Sequence, residues 1–195
     1  MSKVSLKSGA LLAPLPVVLV GCGTVEKPNA LTVAWTGIVN SDPPMTYVSV
    51  RPSRYSHRLI EESGEFTINL PSGNMTRTLD SCGVLTGAKV DKFKKFSLEA
   101  VKGTKVEAPI IANCPVSLEC KVSQKLSLGS HDMFLATIEA VIVDEELIDE
   151  KGKLRLDKAH LVCYSHGDYI ALGKKIGSFG YSVRKHRTKK DGKKK

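Results

Sequence analysis

The chain is poor in the features that usually announce a function. It has one tryptophan in 195 residues, and its five cysteines (Cys22, Cys82, Cys114, Cys120, Cys163) never stand in C-x-x-C pairs. That spacing excludes zinc ribbons and the thioredoxin-type redox motif, and an odd, scattered set reads as reduced thiols of a cytoplasmic protein. No apolar run approaches the ~20 residues needed to cross a bilayer. The stretch that imitates a leader, Lys3 and Lys7 followed by apolar residues up to Cys22, is cut by Pro14 and Pro16. Only Val17 to Val20 runs unbroken, which reads as part of a buried strand over 15–20 rather than as a signal. The dinucleotide fingerprint is missing too. Gly21-Cys22-Gly23-Thr24-Val25-Glu26 has Glu where the third Gly belongs, and Lys27-Pro28 blocks a following helix, so these glycines make a turn.

Basic charge is also scarce, outside one place. The net charge is +9, but Arg184 to Lys195 holds eight Lys or Arg against one Asp, leaving 21 basic and 19 acidic residues elsewhere. The reading is one folded domain, residues 1–183, followed by a solvated basic tail, 184–195. No basic stripe on the body asks for nucleic acid, so nucleic-acid binding is a rival reading confined to the tail. Removing the tail would abolish a salt-sensitive affinity on that reading and leave the body's chemistry intact.

What is present is hairpin chemistry. A β-branched run from Thr32 to Val39 contains Trp35; a turn at Asp42-Pro43-Pro44 leads to a second run, Tyr47 to Val50. Ser53 reads as the N-cap of a helix reaching Ser63, with Gly64 past its end. Glu65 to Leu70 alternates as a strand does. Asn74 is placed to cap a second helix running toward Cys82, and Asp91 a short third one around Phe93 and Phe96. From Val116 to Leu128 every even position except Gln124 is apolar and every odd one polar, which is a strand with one dry face. Gly129-Ser130 is a two-residue hairpin loop of the Gly-first type. The return strand, Asp132 to Val143, is apolar on both faces apart from Thr137 and Glu139, so it needs cover from a helix or a second subunit. Six or so strands with two or three short helices spell a small barrel, with an aromatic and polar cluster from Cys163 to Tyr169 near its end.

The segment Arg51-Pro52-Ser53-Arg54-Tyr55-Ser56-His57 gathers hydroxyls and cations at a helix start. It fits an anion cradle, since free N–H groups and the positive dipole end lie there, and it equally fits an ordinary capped helix. A lone Trp in a strand fits the core or the face of a flat ligand.

In order and spacing, these motifs resemble the flavin reductase-like, FMN-binding split-barrel family, within it the flavoredoxin-type branch. The likeness rests on Pro14 to Gly21, Asn29 to Gly37, Ser41 to Met45, Arg51 to Ser56, Gly64 to Pro71, Asp91 to Phe93, Gly129 to Asp132, Tyr164 to Gly167 and Leu172 to Lys175. It implies a mainly β fold: a six-stranded antiparallel split β-barrel of Greek-key type with short flanking helices. It implies FMN as cofactor, with Ser53, Ser56 and Lys92 at the phosphate; Arg54 adds charge there, and Arg51 is counted among the cofactor-binding residues. Asn29, Trp35, Thr36 and Tyr164 then lie near the ring or ribityl chain, and Thr32 and Ala34 are counted among the cofactor-binding residues. His131 follows Gly129-Ser130 where flavin reductases carry Gly-Asp-His, which implies a place by the flavin and a catalytic role in orienting a donor or passing a proton. His57 and His166 are set aside as weaker, and His160 is read as structural. The resemblance also implies a homodimer with flavin near the interface and NAD(P)H or a redox protein as donor or acceptor. The activity expected is uptake of a hydride or electrons on FMN and their transfer onward. The rival from another class is a non-enzymatic barrel that binds FMN or another anion.

Overall fold

Turn chemistry and alternation make sequence neighbours into antiparallel partners, and the computed structural model, described for residues 1–183, is built from such pairs. Strands β1 (Leu15–Pro16), β2 (Val18–Gly23), β3 (Pro28–Val33), β4 (Thr36–Ser41) and β5 (Pro44–Val50) precede helix α1 (Tyr55–Ser63). Strand β6 (Glu65–Leu70), helices α2 (Thr76–Val84) and α3 (Lys92–Phe96), and the short pair β7 (Ala100–Val101) and β8 (Ile110–Ile111) follow. Then come the long hairpin β9 (Val116–Ser127) and β10 (Asp132–Val143) and a small one, β11 (Val162–Ser165) and β12 (Asp168–Ala171). The main sheet runs β3-β2-β6-β9-β10-β5-β4, antiparallel throughout, while β1, β11 and β12 form a second small sheet.

The two edges of the main sheet, β3 and β4, are consecutive in the chain and separated only by Ala34 and Trp35. The run expected as a single strand is therefore bent at Ala34-Trp35, with its halves on opposite edges. Counted as one bent strand, it makes the barrel six-stranded and open along a split. The Ser49 N–H donates to the Trp35 carbonyl at 2.9 Å and ties the bend to β5. At the β2 exit, Gly23 has φ +85° and starts the turn to β3, as the failed dinucleotide motif implied. Gly21 answers a different demand: a Cβ there would stand 2.3 Å from the Pro109 carbonyl oxygen.

Strand β2 is dry on both faces, as its unbroken apolar run implies. Val18 and Val20 point into the barrel with Leu31, Val48, Phe66, Ile68, Phe134 and the α1 residue Ile60. Val17, Leu19 and Ala30 face the other way, against Leu79 and Cys82 of α2 and Phe93 of α3. A fully buried side chain such as Phe66 contributes about 1.5–3 kcal/mol. Glu119 on β9 is fully buried. Its carboxylate accepts hydrogen bonds from the N–H groups of Thr104, Lys105 and Val106 and from the Thr104 hydroxyl, at 2.7–2.9 Å, which fastens the loop before β8 to the barrel.

Two expectations are corrected. The N-cap of α1 is Arg54, not Ser53: the turn through Pro52 closes with Arg54 N–H on the Arg51 carbonyl, and Ser53 is left exposed in it. Asn74 caps nothing, because Gly73–Met75 forms a 3-10 turn first and Asn74 Oδ1 accepts from the Ser72 hydroxyl at 2.6 Å. Of the two covers expected for the outer face of β10, a helix or a second subunit, the described residues supply no helix; Val141 is 57% exposed, and Met133 and Leu135 are half-buried. Other local readings match: Gly64 ends α1 with φ +68°, Asp91 caps α3 by accepting from Lys94 N–H at 3.0 Å, and Gly129-Ser130 turns β9 into β10. No helix among the described residues is long and apolar enough to cross a membrane. The basic tail, 184–195, lies outside the described residues.

Candidate functional site

The bend between β3 and β4 opens a cleft of about 240 Å³ along the split. One wall is the edge strand β3 from Leu31 to Val33, continued by Ala34 and Trp35. Because β3 pairs only with β2, its outer backbone groups face the opening. The opposite wall comes from the end of β5 and the approach to α1: Ser49, Val50, Arg51 and Arg54. His131 closes the gap from the β9–β10 turn, and Tyr164 and Tyr169 from the β11–β12 hairpin.

The chemistry of the two walls differs. At the α1 end, the helix begins with no side-chain cap, so its first free N–H groups and its positive dipole end are left beside Arg51 and Arg54. At the bend, Trp35 is 43% exposed and its ring lies nearly parallel to His131, 10° apart with centroids at 6.1 Å. Partial burial pulls the His131 pKa below its ordinary value and the Arg51 cation pulls it further, so the imidazole is neutral at neutral pH. Ser130 Oγ stands 2.9 Å from His131 Nδ1, within hydrogen-bond reach. Tyr169 packs edge-on to Tyr164 at 5.8 Å and donates to Asp80 Oδ1 at 3.2 Å. Burial and then the Asp80 charge push its phenol up to about 12, so it is a neutral donor.

Of the residues expected around a ligand, the structure brings Thr32, Ala34, Trp35, Arg51, Arg54, His131 and Tyr164 to the cleft wall. The others lie off it. The Thr36 hydroxyl is buried and donates to the Tyr47 carbonyl at 2.6 Å. Asn29 and Ser56 are buried against each other, Asn29 Nδ2 donating to Ser56 Oγ at 2.8 Å, with Gly87 pressed so closely on Asn29 that a Cβ would meet its Oδ1 at 2.0 Å. Ser53 is exposed ahead of the helix. Lys92 is 2% exposed and spends two N–H groups on the carbonyls of Ala30 (2.6 Å) and Cys82 (2.8 Å), so it stands behind the wall and not on it. Even the on-wall Thr32 has its hydroxyl engaged, donating to the Leu79 carbonyl.

Sequence reasoning missed Tyr169, Ser49 and Gly83 on the wall, and the role of His57. Tyr169 was within reach, since the hairpin through Ser165 to Asp168 sets it opposite Tyr164. Gly83 and Ser49 carry no local signal. His57 is no stray helix residue: it is buried, with Nε2 at 2.8 Å from Asp132 Oδ2. Among the described residues no group of His, Cys, Asp and Glu could hold a metal ion.

An open antiparallel barrel with an aromatic bend on one side of its split and an uncapped, arginine-flanked helix start on the other defines a ligand-binding split-barrel protein. The family model described as flavin reductase like domain matches residues 11–172, and the chain belongs to that family. It is similar to the flavoredoxin of Desulfovibrio vulgaris (Miyazaki F): 32% identity, TM-score 0.87, covering 94% of this chain and 100% of that one. The flavoredoxin from Methanosarcina acetivorans shows 30% identity and a TM-score of 0.84 over the same shares. An uncharacterized protein of Archaeoglobus fulgidus is 36% identical over 140 residues, 72% of this chain and 78% of its own.

Proposed function

We propose that the cleft at the split binds FMN and that the protein is a flavin reductase or flavoredoxin-like electron carrier. The observation that carries this is the division of labour along one cleft: a cationic, uncapped helix start at one end and an aromatic, apolar bend at the other. A phosphate monoester suits the first, where free N–H groups and the Arg51 and Arg54 guanidiniums offer charge-assisted hydrogen bonds worth about 1.5–3 kcal/mol each. A flat ring suits the second, with Trp35 and Tyr164 for stacking and the free edge of β3 for polar groups on the ring's rim. A second cavity of about 250 Å³ shares Trp35 and Tyr164, which extends the room along the split beyond the first.

Bound FMN would supply reversible uptake of a hydride or of electrons. The chain's part is to hold the ligand, keep water from one face of the ring with Val17, Val33 and Ala34, and present a neutral His131 that can accept or share a proton beside it. The similarity to two flavoredoxins supports this reading. The uncovered outer faces of β4 and β10, with Ile38 68% and Val141 57% exposed, support a homodimer built on that side. Sedimentation of the purified protein at twice the chain mass is the expected outcome.

Titrating the purified protein with FMN, while following the single tryptophan and the flavin's visible bands, tests the site. Saturation at one FMN per chain with quenching of Trp35 is expected; unchanged Trp35 emission and an unperturbed flavin spectrum would remove the site from this cleft. Anaerobic mixing of the FMN-loaded protein with NADH and then NADPH separates the two activities. Rapid bleaching of the flavin marks a reductase, and bleaching only with a reduced redox protein marks a carrier.

A further inference from the structure

His57 and Asp132 are 75 residues apart, and neither lines the cleft. Each is nevertheless one step from a residue that does. His57 lies in the first turn of α1, its N–H closing on the Arg54 carbonyl at 3.0 Å. Asp132 directly follows His131 and opens β10. Between them Nε2 and Oδ2 meet at 2.8 Å, with side-chain exposures of only 7% and 10%. The His57 ring stands edge-on to Phe134 at 5.1 Å, which fixes its plane.

The charges around the pair close into a ring. Glu61, one turn further along α1, puts Oε2 3.8 Å from His57 Nδ1. Lys125 on β9 binds Glu61 and stands 4.0 Å from Asp132 Oδ2. The Asp132 carboxyl is held below its ordinary range first by the bond from His57 and then by that from the Ser127 side chain. Such a pair is a poor source of net stability, because burying its polar groups costs about as much as the contact returns. What it does supply is a single permitted geometry.

We propose that the His57–Asp132 pair is a positioning device: it locks the helix start that carries Arg54 to the hairpin turn that carries His131, and so fixes where His131 closes the gap between the arginine wall and Trp35. The proposal deepens the flavin reading of the cleft. Beside the pair, α1 meets the β9–β10 hairpin through the exposed Glu61–Lys125 ion pair and the packing of His57 on Phe134. Without the pair, the Trp35–His131 stack and the arginine end of the cleft lose their common reference. A misplacement of about 1 Å at a distance is enough to weaken a site severely.

Trp35 is the chain's only tryptophan, so its emission reports the stack with His131 even in ligand-free protein. His57→Phe keeps the bulk and the Phe134 contact but removes the bond. It is expected to shift Trp35 emission, raise its quenching by acrylamide and weaken FMN binding about tenfold. His57→Gln keeps an N–H for Asp132 and is expected to restore both readings to within about threefold. The proposal is overturned by a folded His57→Phe protein with wild-type emission and wild-type FMN affinity, or by a Gln variant as impaired as the Phe variant. Should His57→Phe not fold, Asp132→Leu, which keeps the bulk and leaves no acceptor, decides: altered Trp35 emission supports the pair, and unaltered emission removes it. Failure of the wild-type protein to bind FMN would sink the flavin reading alone, since the ligand-free emission still decides the role of the pair.

Discussion

Glu119 and Lys92 are both charged and both removed from water, yet the fold surrounds them differently. Glu119 receives four hydrogen bonds from one short loop, and its carboxylate has no unmet demand. Lys92 has three hydrogens and gives two of them to carbonyls, while no carboxylate pairs with it among the described residues. The nearby thiols do not compensate it, because burial holds Cys22 and Cys82 above their ordinary pKa and therefore neutral. Burial pulls the Lys92 pKa down, and the Arg54 charge adds to the effect. A charge that serves only the fold is saturated by the fold, whereas one left short of a counter-charge is set up to respond to an anion from outside. We propose that for Lys92 this anion is the FMN phosphate at the start of α1, felt through the wall and not by contact.

The comparison can be broken most forcefully at Glu119. Glu119→Ala leaves four donors without their acceptor and is expected to cost about 3 kcal/mol or more, measured as a lowered urea midpoint. FMN affinity in the surviving folded protein should not change; a loss there would join the loop to the site. Acid sharpens the same point. Burial by itself pushes the Glu119 carboxyl up, but its four donors outweigh this and hold the pKa below the ordinary 4.5. Its contribution is therefore complete above 4.5 and is lost as pH falls through that value toward the lower folded one. A urea midpoint that falls over this window in the wild type but not in Glu119→Gln is the expected result.

Lys92→Ala comes next in size. It is expected to weaken FMN binding about tenfold, ~1.4 kcal/mol, while shifting the urea midpoint less than Glu119→Ala does. Unchanged affinity in a titration would make Lys92 a strut between β3 and α2 and nothing more. Arg54→Ala is the smallest. Its guanidinium is only partly buried, so a loss of about threefold to fivefold is expected, shrinking as salt rises.

The same contrast explains what could be read from the chain. Features decided by neighbours were legible: the Gly129-Ser130 turn, the alternation of Glu65 to Leu70, the Asp91 cap and the glycine stop at Gly64. The run from Thr32 to Val39 reads as strand, but its bend is not legible, because nothing in Ala34-Trp35 says that the next residues pair on the far edge of the sheet. Ser53 looked like a better cap than Arg54 because hydroxyls usually win that position; here the turn through Pro52 decides it. Along the cleft, Trp35, Arg51, Arg54, His131 and Tyr164 were legible through resemblance and order, while the burial of Asn29, Ser56 and Lys92 depends on contacts with distant segments. His57 was passed over for the same reason, its partner being 75 residues away.

The two-residue bend has one more consequence, and it concerns parity. Side chains alternate along a strand, so lengthening Ala34-Trp35 by a single residue would leave β3 paired with β2 but present β4 to β5 turned over, with Thr36 outward and Gly37 inward. Both edges of the main sheet are cut from one continuous ribbon. Insertions are therefore tolerable almost anywhere on this surface sooner than at the crossing between Val33 and Thr36.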